Sequence, residues 1–191
     1  MKFSTLAFGA AMASLVSVTA LAHGGATGIV KQRMDGMAMM KESIKLLTPM
    51  MQGKTPYDAA VVRREAGVIA RHAGDAMTGL FPEGSDGEPS EAKPEIWQDW
   101  GRFSALAADL RLYSEALAAA ADNGLMMAGS GQGATMGAGT MMGSGSMMGS
   151  GSMMGSGSMM GAADLAAMPA DGVFMMLGQT CSACHTQFRS E

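Results

Sequence analysis

Residues 94–124 read PEIWQDWGRFSALAADLRLYSEALAAAADNG. Ile96, Trp100, Phe103, Leu106, Ala107, Leu110, Tyr113 and Leu117 recur at steps of three and four, the spacing that places side chains on one face of an α-helix. Lys93-Pro94 opens the segment and Asn123-Gly124 supplies a C-terminal stop. The expectation is an amphipathic helix from about residue 93 to 123, with Trp97, Trp100 and Phe103 in the core.

Reading outward from this helix, the rest of the chain has the same character. Upstream lies a loop from Phe81 to Ala92, rich in Pro, Gly, Ser and Asp. Before it, a second helix is expected to open at Thr55-Pro56, where Pro takes the first helical position, and to run to about Gly79. A first helix is expected from about Thr27 to Met51. Downstream, a fourth runs from about Pro169 to Ser190. Aromatics are few and β-branched runs are absent. These features predict an all-α fold, an antiparallel up-down-up-down four-helix bundle.

Helices three and four are separated by an unusual stretch. Residues 125–161 contain eleven methionines among Gly, Ser, Ala and Thr, with Met pairs at 141–142, 147–148, 153–154 and 159–160. Six residues is not a helical period, and the interposed Gly and Ser disfavour both helix and strand. The stretch reads as a flexible insertion. The expected organisation is therefore a signal peptide at 1–22, bundle helices one to three at 23–124, the low-complexity insertion at 125–161, and the last bundle helix at 162–191.

The N-terminus has the form of a secretory signal. Lys2 precedes an apolar run from Leu6 to Val18, and Ala20-Leu21-Ala22 gives a small-x-small cleavage pattern. The mature chain is expected to begin at His23 in the periplasm, with no stable membrane insertion, since the apolar run is short for a span. The whole sequence has 13 Lys+Arg and 17 Asp+Glu, net −4. Loss of Lys2 makes the balance 12 − 17 = −5. That mild acidity argues against a nucleic-acid partner.

The two cysteines lie in Cys181-Ser182-Ala183-Cys184-His185, a C-x-x-C-H motif. On a helix, positions i and i+3 share a face. Both thiols can then add to the two vinyl groups of one haem, and the imidazole of His185 can take the iron. The competing explanations are weaker. A thioredoxin-like pair needs a βαβ setting, a zinc site would have only His72 and His23 to complete it, and a disulfide across two residues of a helix is strained. The expected cofactor is one covalently attached haem c, coordinated by His185.

In an up-down bundle the start of the first helix lies beside the end of the fourth. Arg33, Met37 and Met40 or Lys41 lie along one stripe of the first three turns, and a thioether there is a candidate second ligand for the iron. The packing alternative is that Met37 fills the core, as methionine often does. Met34 and Met40 are spare candidates. His72 reads as a surface or core histidine.

The stretch Gly178–Arg189, with its motif a few residues from the chain end, resembles the close of the cytochrome c′ family, the class II c-type cytochromes. Arg33-Met34-Asp35-Gly36-Met37, Phe81-Pro82-Glu83-Gly84-Ser85 and Lys93-Pro94-Glu95-Ile96-Trp97 are similar to that family as well. The resemblance covers the expected mature chain except the insertion. It implies that Met37 stands where the family places the residue above the iron, a methionine ligand in the low-spin electron-transfer branch. It also implies that Arg33 and Arg189 pair with haem propionates or brace the pocket; the alternative is solvated surface arginines.

The function expected is single-electron transfer between periplasmic redox partners by a monohaem cytochrome, with no substrate turnover and with a homodimer as one assembly. Two alternatives stay open. One is a five-coordinate cytochrome c′ that binds NO or CO. The other is a copper-binding protein, because thioethers favour Cu(I) and His23 could chelate Cu(II). For the insertion itself, a neutral repeat expansion on a tolerant loop is the preferred explanation.

Overall fold

The computed structural model describes residues 25–126 and 161–190. The signal segment, His23 and nearly all of the Met-rich insertion lie outside the described residues. Those described form seven α-helices and one 3₁₀ turn, and the four long helices are joined as the expected bundle.

Helix α1 spans Gly28–Met51. Its buried residues are Arg33, Gly36, Met40, Ser43, Leu47, Met50 and Met51. Alternating steps of three and four give the narrow seam of coiled-coil packing. Gly36 is where α1 meets its neighbour: a Cβ there would come within 3.3 Å of Nδ1 of His72.

Helix α2, Ala59–Arg71, begins at a different residue from the one expected. Its cap is Asp58, whose carboxylate accepts from the N–H groups of Ala60 and Val61 at 2.8 and 3.2 Å. Thr55 is four residues short of α2 and has no part in its cap. Nor does the helix continue to Gly79. The chain turns at Gly74, at φ +62°, where the Gly74 N–H bonds to the Ala107 carbonyl at 2.9 Å. Only a short α3, Asp75–Thr78, follows.

The third expected helix is broken in two. Helix α4 covers Glu95–Gln98 and α5 covers Trp100–Ala119. Asp99 between them is non-helical, at φ −124° and ψ 54°, and its carboxylate caps α5 at the Arg102 N–H, 3.2 Å away. The 3₁₀ turn Ala120–Asn123 leads to Gly124 at φ +70°, the stop anticipated there. A short α6, Ala162–Ala166, precedes α7, Ala170–Phe188.

The core holds Leu47, Val62, Ile69, Ile96, Phe103, Leu117, Leu165, Val173 and Leu177, all essentially inaccessible. Of the period that opened the analysis, Trp100 departs: it is 41 % exposed. It is the first residue of α5, at the exposed end of the face that carries Phe103, and the two rings touch, with centroids 5.5 Å apart. Trp97 is half-buried, and its Nε1 donates to the Phe81 carbonyl at 3.0 Å.

The four seams of the bundle are unequal. Helix α5 packs closely on both α2 and α7, and α1 packs on α2, but α1 and α7 touch only lightly. That loose seam is where the candidate site lies.

Candidate functional site

Cys181 and Cys184 stand on the inner side of α7, half-buried against the core and not joined in a disulfide. Burial pushes both thiols up, Cys184 to about 11, with the neighbouring Cys181 adding to the effect on Cys184. Both are therefore uncharged thiols. His185 is more exposed. Burial and then the nearby Arg189 charge lower its pKa, against a smaller opposing effect of Glu91. The neutral imidazole that this favours is the form that donates a lone pair to a metal.

Cys181, His185 and Phe174 lie on one flank of α7, at i, i+4 and i−7, with Gly178 between them. On α1, Met37, Ile44 and Met51 repeat every seven residues along one flank. The two helices border a common groove where Met51 lies beside Phe174 and Gly178. The groove, of about 510 Å³, is lined by Met51 at the end of α1, by Gln52 just after it, and by Asp171, Phe174, Met175, Gly178, Gln179 and Ser182 of α7. It reaches the C-x-x-C-H motif at Ser182. Gly178 leaves it open, since a Cβ there would meet nothing within 4 Å.

A flat, apolar group tethered through Cys181 and Cys184 suits this place. The thiols are reduced and paired on one face, a histidine follows them, and the adjoining seam is the least filled of the four. A zinc site does not suit it: among the described residues no three His, Cys, Asp or Glu side chains cluster to hold an ion. His72, one of the two histidines considered for that role, packs against Gly36 instead.

The end of the seam is organised by the loop between α3 and α4. Arg33 is 6 % exposed. Its Nη1 donates to Ser85 Oγ at 3.2 Å, and its Nη2 to the Ser85 carbonyl and to Ser90 Oγ, the latter at 3.2 Å. Its guanidinium also lies 4.5 Å over the Phe81 ring. At the other side, Arg189 Nε donates to Glu91 at 2.6 Å. The Ser190 N–H donates to the Glu91 carbonyl at 2.9 Å, and the Lys93 N–H to the Phe188 carbonyl at 3.0 Å. Phe188 is buried against Phe103, edge to face at 5.5 Å. Residues 81–93 thus hold the start of α1 and the end of α7 together.

Met37 lies four residues, about 6 Å of helix, inward from Arg33, and His185 lies four residues before Arg189, the extended residue that follows α7. Met37 is half-buried and Met34 likewise, whereas Met40 is buried in the seam that α1 makes with the core. Phe81, Ser85, Ser90 and Glu91 were not singled out as site residues. The loop has no hydrophobic period, and only the pairing of its serines with a buried arginine marks them.

The sequence profile of the family described as Cytochrome C′ matches residues 28–138, more than half of the chain. The chain belongs to the cytochrome c′ family. The match ends before α7, which the Met-rich insertion separates from the other helices. A cytochrome c′ of Rhodopseudomonas palustris is 31 % identical over 103 residues, 52 % of this chain and 70 % of that protein. A cytochrome c-556 of Agrobacterium fabrum is 34 % identical over 94 residues, 49 % of this chain and 63 % of that protein. Among solved structures, a nitric oxide complex of a variant cytochrome c′ from Alcaligenes xylosoxidans superposes with a TM-score of 0.55 at 23 % identity, over 85 % of this chain and 94 % of that one. At that identity the superposition establishes the bundle alone. As a cytochrome c′ family member, the chain carries one covalently attached haem c.

Proposed function

We propose that this cytochrome is an exported, periplasmic one-electron carrier that turns over no substrate of its own. Cys181 and Cys184 hold the haem, His185 ligates the iron, and Met37 supplies the sixth ligand. When bound, haem c supplies the Fe(II)/Fe(III) couple. The protein's part is to hold the group in the α1–α7 seam, keep His185 neutral and offer a thioether from α1, which raises the potential. The observation that supports this reading best is the pair of arginine contacts at one end of the bundle: Arg33, four residues before Met37, and Arg189, four residues after His185, are tied to a single loop. Periplasmic redox proteins would be its donor and acceptor. Among the described residues no helix is long and apolar enough to cross a membrane.

A second reading has an observation of its own. The similar proteins include several named cytochrome c′, one of them solved with nitric oxide. On that reading Met37 packs in the seam, the iron keeps five ligands, and the protein binds NO or CO. The copper alternative rests on His23 and the insertion, which lie outside the described residues.

Absorption spectra of the holoprotein separate the two. The carrier reading expects a low-spin spectrum in both oxidation states and slow CO binding. Met37→Leu is expected to convert the protein to high spin and to speed CO binding, while Met40→Leu leaves the spectrum low-spin. A wild-type protein that is already high-spin and binds CO freely would replace the carrier reading with the gas-binding one.

A further inference from the structure

We propose that residues 81–93 act as a strap that sets the width of the α1–α7 seam and so decides whether Met37 stays on the iron. This rests on the ligation reading above.

The reason lies in how the seam is held. Direct packing between α1 and α7 is slight, while each helix is fixed on its far side by a well-packed neighbour. What joins the two helices at the candidate haem is the strap. Arg33 grips it from α1 through Ser85 and Ser90, and α7 grips it through the Arg189–Glu91 pair and two backbone hydrogen bonds. Ser90 and Glu91 are adjacent residues, so the two grips are one peptide apart. Ser90 Oγ also accepts from the Ala92 N–H at 3.1 Å, which stiffens that point. The two grips differ in strength. The pair on α7 is exposed on both sides and contributes little by itself. The Arg33 grip is buried, and a buried guanidinium that loses a partner is costly to leave unsatisfied. Arg33 is therefore the positioning residue: it touches the strap and acts on the iron only through the position of α1.

An iron–thioether bond tolerates little displacement, so a strap released from α1 should let Met37 come off before the bundle unfolds. Arg33→Gln and Ser90→Ala in the full-length holoprotein test this. Tyr57→Phe is the control, because it removes the Tyr57 hydroxyl bond to the Ala121 carbonyl, 2.6 Å, at the opposite end of the bundle. The readouts are the high-spin fraction, the CO association rate and the reduction potential. Arg33→Gln should raise the high-spin fraction, lower the potential and speed CO binding on the order of tenfold, with Ser90→Ala moving each in the same direction by less. Arg33→Lys should not restore the wild-type values, because one ammonium cannot span both serines as a guanidinium fork does. Tyr57→Phe should lower stability and leave the spectrum unchanged.

Arg33→Gln and Ser90→Ala with wild-type spin state and CO kinetics would overturn the strap, while a high-spin Met37→Leu would leave the ligation reading standing. The same spectral change in Tyr57→Phe would overturn it as well, by making the effect one of general loosening. A wild-type protein that is high-spin removes both the strap and the ligation reading. If Arg33→Gln does not fold, Ser90→Ala alone decides.

Discussion

Phe188 shows how one side chain serves both stability and the site. It is buried at 2 % exposure, stacks edge-on against Phe103, and follows His185 by three residues. Its ring therefore anchors the last turn of α7, the turn on which the candidate ligand is carried. Phe→Ala at a buried position costs about 3–5 kcal/mol, from lost transfer energy and the cavity left behind. Phe188→Ala should lower stability by about that much in denaturant unfolding, a large share of the ~5–15 kcal/mol of an ordinary domain. A change below about 1 kcal/mol would mean that the end of α7 is held by its backbone bonds to residues 91–93 instead. Arg33 and Arg189 differ for a reason visible at the same scale. Both were expected to serve propionates or brace the pocket. In the structure Arg33 is enclosed with three hydrogen bonds to serines, while Arg189 is exposed and paired with Glu91.

At the scale of elements, the sequence placed the existence of the long helices better than their ends. Helix α1 and helix α7 begin within one residue of the expected starts at Thr27 and Pro169. The helix read from residues 93–123 breaks at Asp99, and the one read from 55–79 begins at Ala59, after its Asp58 cap, and ends before Gly74. A carboxylate that caps and a glycine at positive φ are local choices that a hydrophobic period does not register. The C-x-x-C-H motif was legible because its chemistry lies within five consecutive residues. The strap was not, because its contacts with Arg33 and Arg189 join residues some fifty to a hundred positions apart. The insertion is bounded by a pinned stem. The Asn123 side chain donates to the carbonyls of Ala166 and Met168 at 2.8 and 2.7 Å, the Ala170 N–H bonds to the Gly124 carbonyl at 2.9 Å, and the Met126 N–H donates to Asp171 at 3.0 Å. The segments that flank the insertion and α6, residues 123–126 and 166–171, therefore meet at one place. Deleting residues 127–160 and bridging the stem with a short Gly-Ser link should leave the haem spectrum unchanged and alter stability by only ~1–2 kcal/mol through loop closure. Thermal melts and absorption spectra check this; loss of haem from the deletion variant would show that the insertion takes part in the site.

For the whole molecule, the bundle is asymmetric in a way that matches its cofactor. Three seams are closely packed, and the fourth, between α1, which carries Met37, and α7, which carries the C-x-x-C-H motif, is packed only lightly. Covalent attachment through α7 would fix the group in that seam, whatever ligates the iron on the α1 side, and every step of the functional reading depends on it. The most direct measurement is the intact mass of the denatured, acid-acetone-extracted protein from a host that matures c-type cytochromes. The predicted result is the polypeptide beginning at His23 plus one haem, with attachment weakened or lost in Cys181→Ala and in Cys184→Ala. A mass equal to the bare polypeptide, or an undiminished haem adduct when both cysteines are changed to Ala, would contradict it.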